Sequence, residues 1–506
     1  MRNTRTVHWI LVGAAALAAF ACTGVRFPNS GWEDGRRNCQ DECPGRVEQV
    51  RRFGGPAADA GRALGLVSGG ALLLTGTITA PATWSAPAGD APFCEGIERG
   101  AFLARIGSAG DVQWATCANQ ADAYGLVVMD DGGAVVAGEF EYSAVFAPGT
   151  AEEVTVTARE RYDMFVARYD DAGKVLWVRT GGGEGRTHAA AVAPMPDGGV
   201  AVSGSFARHA VFGSGEANEL TVDSDTGDGI FVARYRDDGN LVWVRGLPAM
   251  RTDEGSALAA LPDGSIVIAG HFGRTVAFDT VILEPQGGSD AFLVRLDPSG
   301  TVLWAVRAGG SGADFADALA VMPDGTLLVT GHFEGTAVFG PGEPFEEQLR
   351  SAGDADVFLA RFNAEGMFLA VMQAGGRGFD AGFAVAADED GGAVVAGSFE
   401  DSAVFGADGP METTLTASGE KDLFLARYDA DGQLLWATMA GGPTYDAVRG
   451  LVVTGGGDIV VTGSYGSAAV FGAGENGETR VESINDPRFS QEPSMVSDAF
   501  LGWFGP

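Results

Sequence analysis

Apolar positions along the chain come in short runs separated by turn residues, and the runs follow a fixed grammar. An apolar stretch, a turn that usually carries Asp-Gly, a second apolar stretch and then Gly plus a polar residue recur as AVAPMPDGGVAVSGSF, LAVMPDGTLLVTGHF and VAADEDGGAVVAGSF. The runs have strand length, and Asp-Gly tolerates the positive φ of a tight turn, so each copy predicts a β-hairpin. Seven copies place marker glycines at Gly76, Gly138, Gly204, Gly270, Gly331, Gly397 and Gly463, spaced by 62, 66, 66, 61, 66 and 66 residues. A period of that size is the signature of a repeat architecture.

A second hairpin alternates with the first. Its pattern is D-x-F-x-A-R-Y-D-x-x-G-x-x-x-W followed by what reads as a Gly-Gly turn, as in DMFVARYDDAGKVLWVRTGG. Phe102, Phe165, Phe231, Phe292, Phe358, Phe424 and Phe500 mark it, and Trp114, Trp177, Trp243, Trp304 and Trp436 end the following strand, with Ala370 in one copy. These aromatics recur at the repeat period and read as core. Between the hairpins lie segments of variable length, such as AVFAPGTAEEVTVTARERY, which read as surface loops.

Two hairpins make four strands. Four-stranded sheets repeated radially, each packed on the next, solve the exposed-edge problem as a β-propeller. The expected fold is therefore all-β: a seven-bladed propeller with four antiparallel strands per blade, spanning residues 46–506. The ends supply closure. The last repeat stops at Phe504, one strand short, while RVEQVRRFGG at 46–55 superposes on TVLWAVRAGG at 301–310, with Gln49 where Trp304 stands. The N-terminal strand is thus expected to complete the last blade.

The consensus D-x-F-x-A-R-Y-D-x-x-G, then Trp, Gly-Gly and an Asp-Gly turn before V-V-x-G resembles the bacterial SBBP β-propeller repeat over nearly all of 46–506. The resemblance implies an exported, often surface-associated protein and assigns no chemistry. ARYDDAGKVLW at 167–177 is also similar to the strand-turn-Trp motif of quinoprotein-type propellers, whose relatives include an outer-membrane barrel-assembly lipoprotein.

The first residues read as an export signal, not as part of the fold. Arg2 and Arg5 precede an apolar run from Trp9 to Ala19, and Ala19-Phe20-Ala21-Cys22 resembles a lipobox. A signal peptide over 1–21, acylation at Cys22 and a tether over 22–45 follow as expectations, with simple secretion the alternative. Thr23 resembles the outer-membrane sorting pattern. Four other cysteines, Cys39, Cys43, Cys94 and Cys117, favour two disulfides in an exported chain; a zinc site would want the C-x-x-C spacing they lack. Cys94 and Cys117 flank one predicted hairpin turning at Gly107 to Gly110.

Charge narrows the partners. With 33 Lys+Arg against 67 Asp+Glu the net charge is -34, which repels phosphate backbones and anionic lipid surfaces. Nucleic acid is excluded as a partner, and membrane contact is expected only through a lipid anchor.

Repetition also stacks side chains into rings. The residues after the marker glycines, Thr77, Glu139, Ser205, His271, His332, Ser398 and Ser464, form a candidate axial polar ring that either braces strands or holds a cation. A second series, Asp59, Asp122, Asp253, Asp314, Asp380 and Asp446, with Thr187 interrupting, has carboxylates that can accept turn amides or pair with Arg105, Arg168, Arg234, Arg295, Arg361 and Arg427. A scaffolding role and no cofactor are expected; calcium or another divalent cation is the alternative such oxygens would hold, although no EF-hand spacing appears. No P-loop, H-E-x-x-H or dinucleotide glycine pattern occurs. The sequence thus points to a monomeric, non-catalytic binding or scaffold module for a protein or glycan at the cell envelope. A propeller hydrolase or lyase, or an outer-membrane assembly factor, are the alternatives.

Overall fold

The computed structural model describes residues 44–86, 89–215, 218–247, 257–473, 478–483 and 497–506. The signal peptide, the acylation site Cys22 and both Cys39 and Cys43 lie outside these residues, as do almost all of the tether and Asp253. Within them the chain is all-β and contains no helix.

Each repeat is a unit of four antiparallel strands in chain order. In the fifth repeat, Asp314–Val321 pairs with Leu327–Phe339, which pairs with Glu347–Phe362, which pairs with Phe368–Gly376. The first strand of every unit is the inner one: Ala60–Leu66, the second half of Val112–Val128, Thr187–Pro194, Ala257–Ala260, Asp314–Val321, Ala381–Ala387 and Ala447–Val453. None of the hydrogen-bonded sheets closes on itself. The inner strands nonetheless contact one another in succession, and Ala447–Val453 lies against Ala60–Leu66.

The last unit takes its fourth strand from the start of the chain. Val47–Gly54 runs antiparallel to Asp498–Phe504, with Arg52 opposite Phe500 and Phe53 opposite Ala499.

Apolar clusters lie between units. Leu258, Ile266 and Phe292 of the fourth unit pack with Ala201, Ile230 and Val232 of the third. Phe53, Val460 and Leu501 of the last unit pack with Leu64, Leu74 and Phe102 of the first. A unit alone would leave both sheet faces in water, so burial is obtained only by stacking on a neighbour.

The marker glycines have a steric cause. Six of the seven inner strands, all but Ala257–Ala260 among the described residues, carry a one-residue bulge opposite the marker, as between Ala189 and Ala191, and the distortion brings a carbonyl onto the glycine. A Cβ on Gly204 would stand 2.0 Å from the His188 carbonyl oxygen, and one on Gly331 1.9 Å from that of Phe315.

Three expectations change. Of the repeat tryptophans only Trp436 is interior core, at 4% exposure; Trp177 lies over the D-x-x-G turn of the next unit, its Nε1 donating to the Asp237 carbonyl at 2.8 Å, and Trp243 reaches Pro298 in the same way at 3.0 Å. The conserved turn glycine is what the indole rests on, since a Cβ at Gly239 would lie 2.8 Å from the Trp177 ring. The Gly-Gly pairs are not turns but the extended ends of fourth strands. The variable segments are hairpins that pair with those ends, as Gly181 does with Phe212 and Gly375 with Val404. Short alternation such as VTVTA is enough to form an edge strand once a neighbouring strand offers free amides and carbonyls.

Candidate functional site

The bulges that fix the marker glycines also build a cavity that draws on all seven inner strands. An extra residue in a strand breaks the two-sided alternation, so its side chain leaves the sheet faces. The bulge residues are Arg62, Tyr124, Ala190, Asp317, Phe383 and Arg449, each unpaired in its ladder. All of them line an axial cavity of about 270 Å³, together with small and aliphatic neighbours such as Ala63, Leu126 and Ala191.

Charge is unevenly spread around this cavity. Arg62 and Arg449 come from adjacent units, and the two backbones nearly touch just beyond them: a Cβ on Gly450 would lie 3.1 Å from the Ala63 Cα. Each guanidinium lies over an aromatic ring on its far side, Arg62 over Tyr124 at 5.5 Å and Arg449 over Phe383 at 4.9 Å. On the other side Asp317 bonds His332 Nδ1 at 2.9 Å. His332 stacks on Phe315 at 4.7 Å and meets Phe379 at 4.9 Å, and Lys421 caps Phe379 at 4.3 Å.

The predicted polar ring sits one strand outward and does not line the cavity. Thr77 donates to Asp122, Ser205 bonds His188 Nδ1 at 2.8 Å, and His271 packs on Phe315 at 4.0 Å. Ser398 is buried opposite Ala381, and Ser464 stands opposite Ala447. Glu139 is buried, accepts from the Tyr124 hydroxyl at 3.0 Å and is gripped by both ends of the Arg186 fork. Burial works to raise its pKa, but the bonds and charge of Arg186 outweigh it and hold the carboxyl below its ordinary value. Burial and the Glu139 charge push the Tyr124 phenol up in turn. Thr77–Asp122, Glu139–Arg186 and His271–Phe315 join neighbouring units, whereas Ser205–His188 and Tyr124–Glu139 lie within one. The Ser205–His188 pair resembles a nucleophile and base, yet His188 is only 5% exposed and lies outside the cavity lining.

The aspartate series needs one correction. By register Ala121, opposite Phe140, fills the place assigned to Asp122, which stands opposite Glu139 instead and pairs with Arg99. The true members bond backbone amides of the preceding Gly-Gly strand: Asp59 accepts from Gly55, Asp314 from Gly310, Asp380 from Gly376 and Asp446 from Gly442, each at 2.7 Å. The repeat arginines bond elsewhere. Arg168, Arg234, Arg295 and Arg427 pair with Asp131, Asp197, Asp263 and Asp388 of the Asp-Gly-type turns.

Cys94 and Cys117 form a disulfide, Cα atoms 5.9 Å apart. Beside it a cavity of about 610 Å³ is lined by Pro81, Pro92, Phe93 and Ile97, all within one repeat. Among the described residues no three His, Cys, Asp or Glu converge as a metal site, and no helix is long and apolar enough to cross a membrane.

Sequence reasoning missed the bulge residues, and with them the cavity. The available signal was a single position, one after the residue facing the marker glycine, that varies as Arg, Tyr, Ala, Asp, Phe and Arg while its surroundings stay nearly constant.

Comparison with known proteins gives weak likenesses. No family model matches. An uncharacterized WD repeat-containing protein of Acanthamoeba polyphaga mimivirus is 20% identical over 440 residues, covering 74% of this chain and 31% of that one. The regulatory protein FlaEY of Caulobacter vibrioides is 29% identical over 141 residues, 27% of this chain and 14% of that one. The chain thus spans under a third of the length of these curated relatives. Among solved structures, a protein of unknown function from Bacteroides caccae is 14% identical with a TM-score of 0.32, covering 59% of this chain and 78% of that one. A puromycin hydrolase mutant is 16% identical with a TM-score of 0.41, covering 86% and 55%.

Proposed function

We propose that the chain is a seven-bladed β-propeller acting as a non-catalytic binding module at the cell envelope, and that its axial cavity takes the carboxylate-bearing end of a glycan. The observation that carries this reading is the bulge set. A bulge in six of the seven inner strands turns one side chain out of the sheet, and together these side chains line one cavity. Its volume suits one sugar-sized group and is too small for a folded segment.

Chemistry favours an anion there. Arg62 and Arg449, on adjacent inner strands, both line the cavity, and a guanidinium fork matches a carboxylate. Tyr124 and Phe383 offer flat apolar faces on either side, and Asp317 opposite can accept hydroxyl hydrogens.

The seven-blade count is supported by the succession of inner-strand contacts and by the Trp-on-turn clasps. Export and anchoring through Cys22 are supported by residues 1–22 alone, and mass spectrometry of the mature N-terminus tests them.

Calorimetric titration with glucuronic acid and with glucose tests the site. Glucuronic acid is expected to bind at least tenfold tighter, and Arg449→Ala to remove that preference. Equal affinity for the two sugars would overturn the charge assignment, and an affinity unmoved by both Arg449→Ala and Phe383→Ala would move the site elsewhere.

A further inference from the structure

At several junctions between units two aspartates are buried together, one from the third strand of a unit and one from the inner strand of the next. The pairs are Asp356 with Asp380, Asp422 with Asp446, Asp290 with Asp314 and, across the join of the chain ends, Asp498 with Asp59. All eight carboxylates are at most 1% exposed. Both members border the same Gly-Gly strand. A Cβ on Gly54 would touch Asp59 Oδ2 at 2.7 Å and Asp498 Oδ1 at 3.2 Å, and one on Gly309 would meet Asp314 Oδ2 and the Asp290 carboxyl carbon at 2.7 and 2.9 Å.

Two buried like charges cannot both persist without a counter-charge. At one junction Arg307 supplies it, bonding Asp290 at 2.8 Å. At another the Tyr465 hydroxyl adds a hydrogen bond to Asp498. Among the described residues no basic side chain bonds Asp356–Asp380 or Asp422–Asp446. Gln373 faces Asp356, the Glu400 carboxylate near Asp380 only adds repulsion, and Lys421, next in sequence to Asp422, is engaged by Glu400 at 3.0 Å.

We propose that Asp356–Asp380 and Asp422–Asp446 each share one proton across the junction, carried by the third-strand aspartate, so that the contact between these units is a pH-sensitive lock. The hydrogen bonds assign the proton. Both oxygens of each inner aspartate already accept amide hydrogens: Asp380 from Gly376 and Glu400, Asp446 from Gly442 and Gly466. Their partners accept on Oδ2 only, Asp356 from Ala352 and Gln373 and Asp422 from Ser418, and their Oδ1 atoms are buried without a hydrogen bond. A hydrogen on that Oδ1 gives the atom a partner and leaves one negative charge per pair. Burial raises both members of each pair, and because the two carboxyls are coupled the proton comes off the pair as a unit; burial, offset in part by the amide bonds and reinforced by the neighbouring carboxylate, puts that step at about 7 for Asp356–Asp380 and about 8 for Asp422–Asp446.

In the unfolded chain these carboxyls titrate at their ordinary value of 3.8. The folded state therefore holds more protons between that value and about 7 to 8, and stability falls as pH rises through this window, then levels off. Surface repulsion in a chain of charge -34 slopes the same way, so the isosteric variants Asp356→Asn and Asp422→Asn are the decisive comparison. The amide N–H replaces the carboxyl hydrogen at every pH. Melting temperature measured from pH 5 to 9 is expected to fall less steeply in each variant than in wild type, and least in the double variant. At alkaline pH the variants should match or exceed wild type. An unchanged slope overturns the proposal, as does a calcium-dependent rise in the wild-type melting temperature that the variants lose, which would put a cation between the carboxylates. Should the variants fail to fold, wild type alone decides: infrared absorption of a protonated carboxyl is expected at neutral pH, fading above pH 9, and its absence at neutral pH overturns the shared proton.

Discussion

Val47, at the start of the first described strand, stands directly opposite Phe504, near the end of the last. The pairing extends through Arg52 and Phe500 to Phe53 and Ala499, and a backbone bond from Gly45 to the Gly505 carbonyl at 3.2 Å continues it. The two ends of a long polypeptide therefore make one unit between them.

Removing residues 46–55 should cost the fold more than the loss of one edge strand usually does. Val47, Val50 and Phe53 are buried, each worth roughly 1.5–3 kcal/mol, and the free edge of Asp498–Phe504 would be exposed. Thermal unfolding of the truncated chain is expected to begin well below that of the intact one. An unchanged melting temperature would show that the strand is ornamental.

Gly204→Ala should be destabilising out of proportion to one methyl group, by roughly 1–3 kcal/mol. The methyl has to displace a backbone carbonyl, not a flexible side chain. Gly198→Ala tests the other use of glycine: its φ of 85° strains an alanine, but nothing lies near its Cβ. Denaturant titration of the two variants compares close approach with left-handed backbone directly.

The repeat arginine has partners of very different burial, which gives a graded prediction. Both side chains of the Arg427–Asp388 pair are shielded, at 11% and 7% exposure, whereas Asp197 opposite Arg234 is 65% exposed. Asp388→Ala strands a guanidinium away from water and should cost about 3–5 kcal/mol. Asp197→Ala should cost about 1 kcal/mol or less, because solvent replaces the lost partner.

The Cys94–Cys117 bond closes 23 residues of separation between the outer hairpin and the fourth strand of the first unit. Cys117→Ser, or reduction, should lower stability by roughly 3 kcal/mol. Melting with and without reductant checks it, and the variant should be insensitive to reductant.

Much of this fold was legible because its repeats are constrained by sterics that leave a mark on sequence. Gly204 and its equivalents recur because no other residue fits beneath a bulged carbonyl, and Phe231 and its equivalents recur because the space between units repeats. What a single period cannot show is which neighbour a side chain serves. Trp177 was placed in the interior, when it reaches across to the turn at Gly239. Asp122 was counted with the aspartates by spacing, but its strand is continuous with the preceding one and Ala121 fills that place.

The candidate site was less legible for a related reason. Alternation predicts which residues face in and out of a sheet, and Arg62, Tyr124, Asp317, Phe383 and Arg449 are the residues that escape alternation. The polar residues beside the marker glycines, which alternation does single out, turned out to lie one strand outward. Nor could spacing reveal that Asp356 and Asp380 meet, since they belong to consecutive repeats and come together only when one unit stacks on the next.

The meeting of Val47 with Phe504 has a topological consequence. Since Arg46 and Phe504 emerge side by side, a short linker could join them, and the chain could be opened elsewhere, for instance in the exposed tip at Gly149. Such a rewired polypeptide would regain the same strand pairings from a different starting point in the ring of contacts.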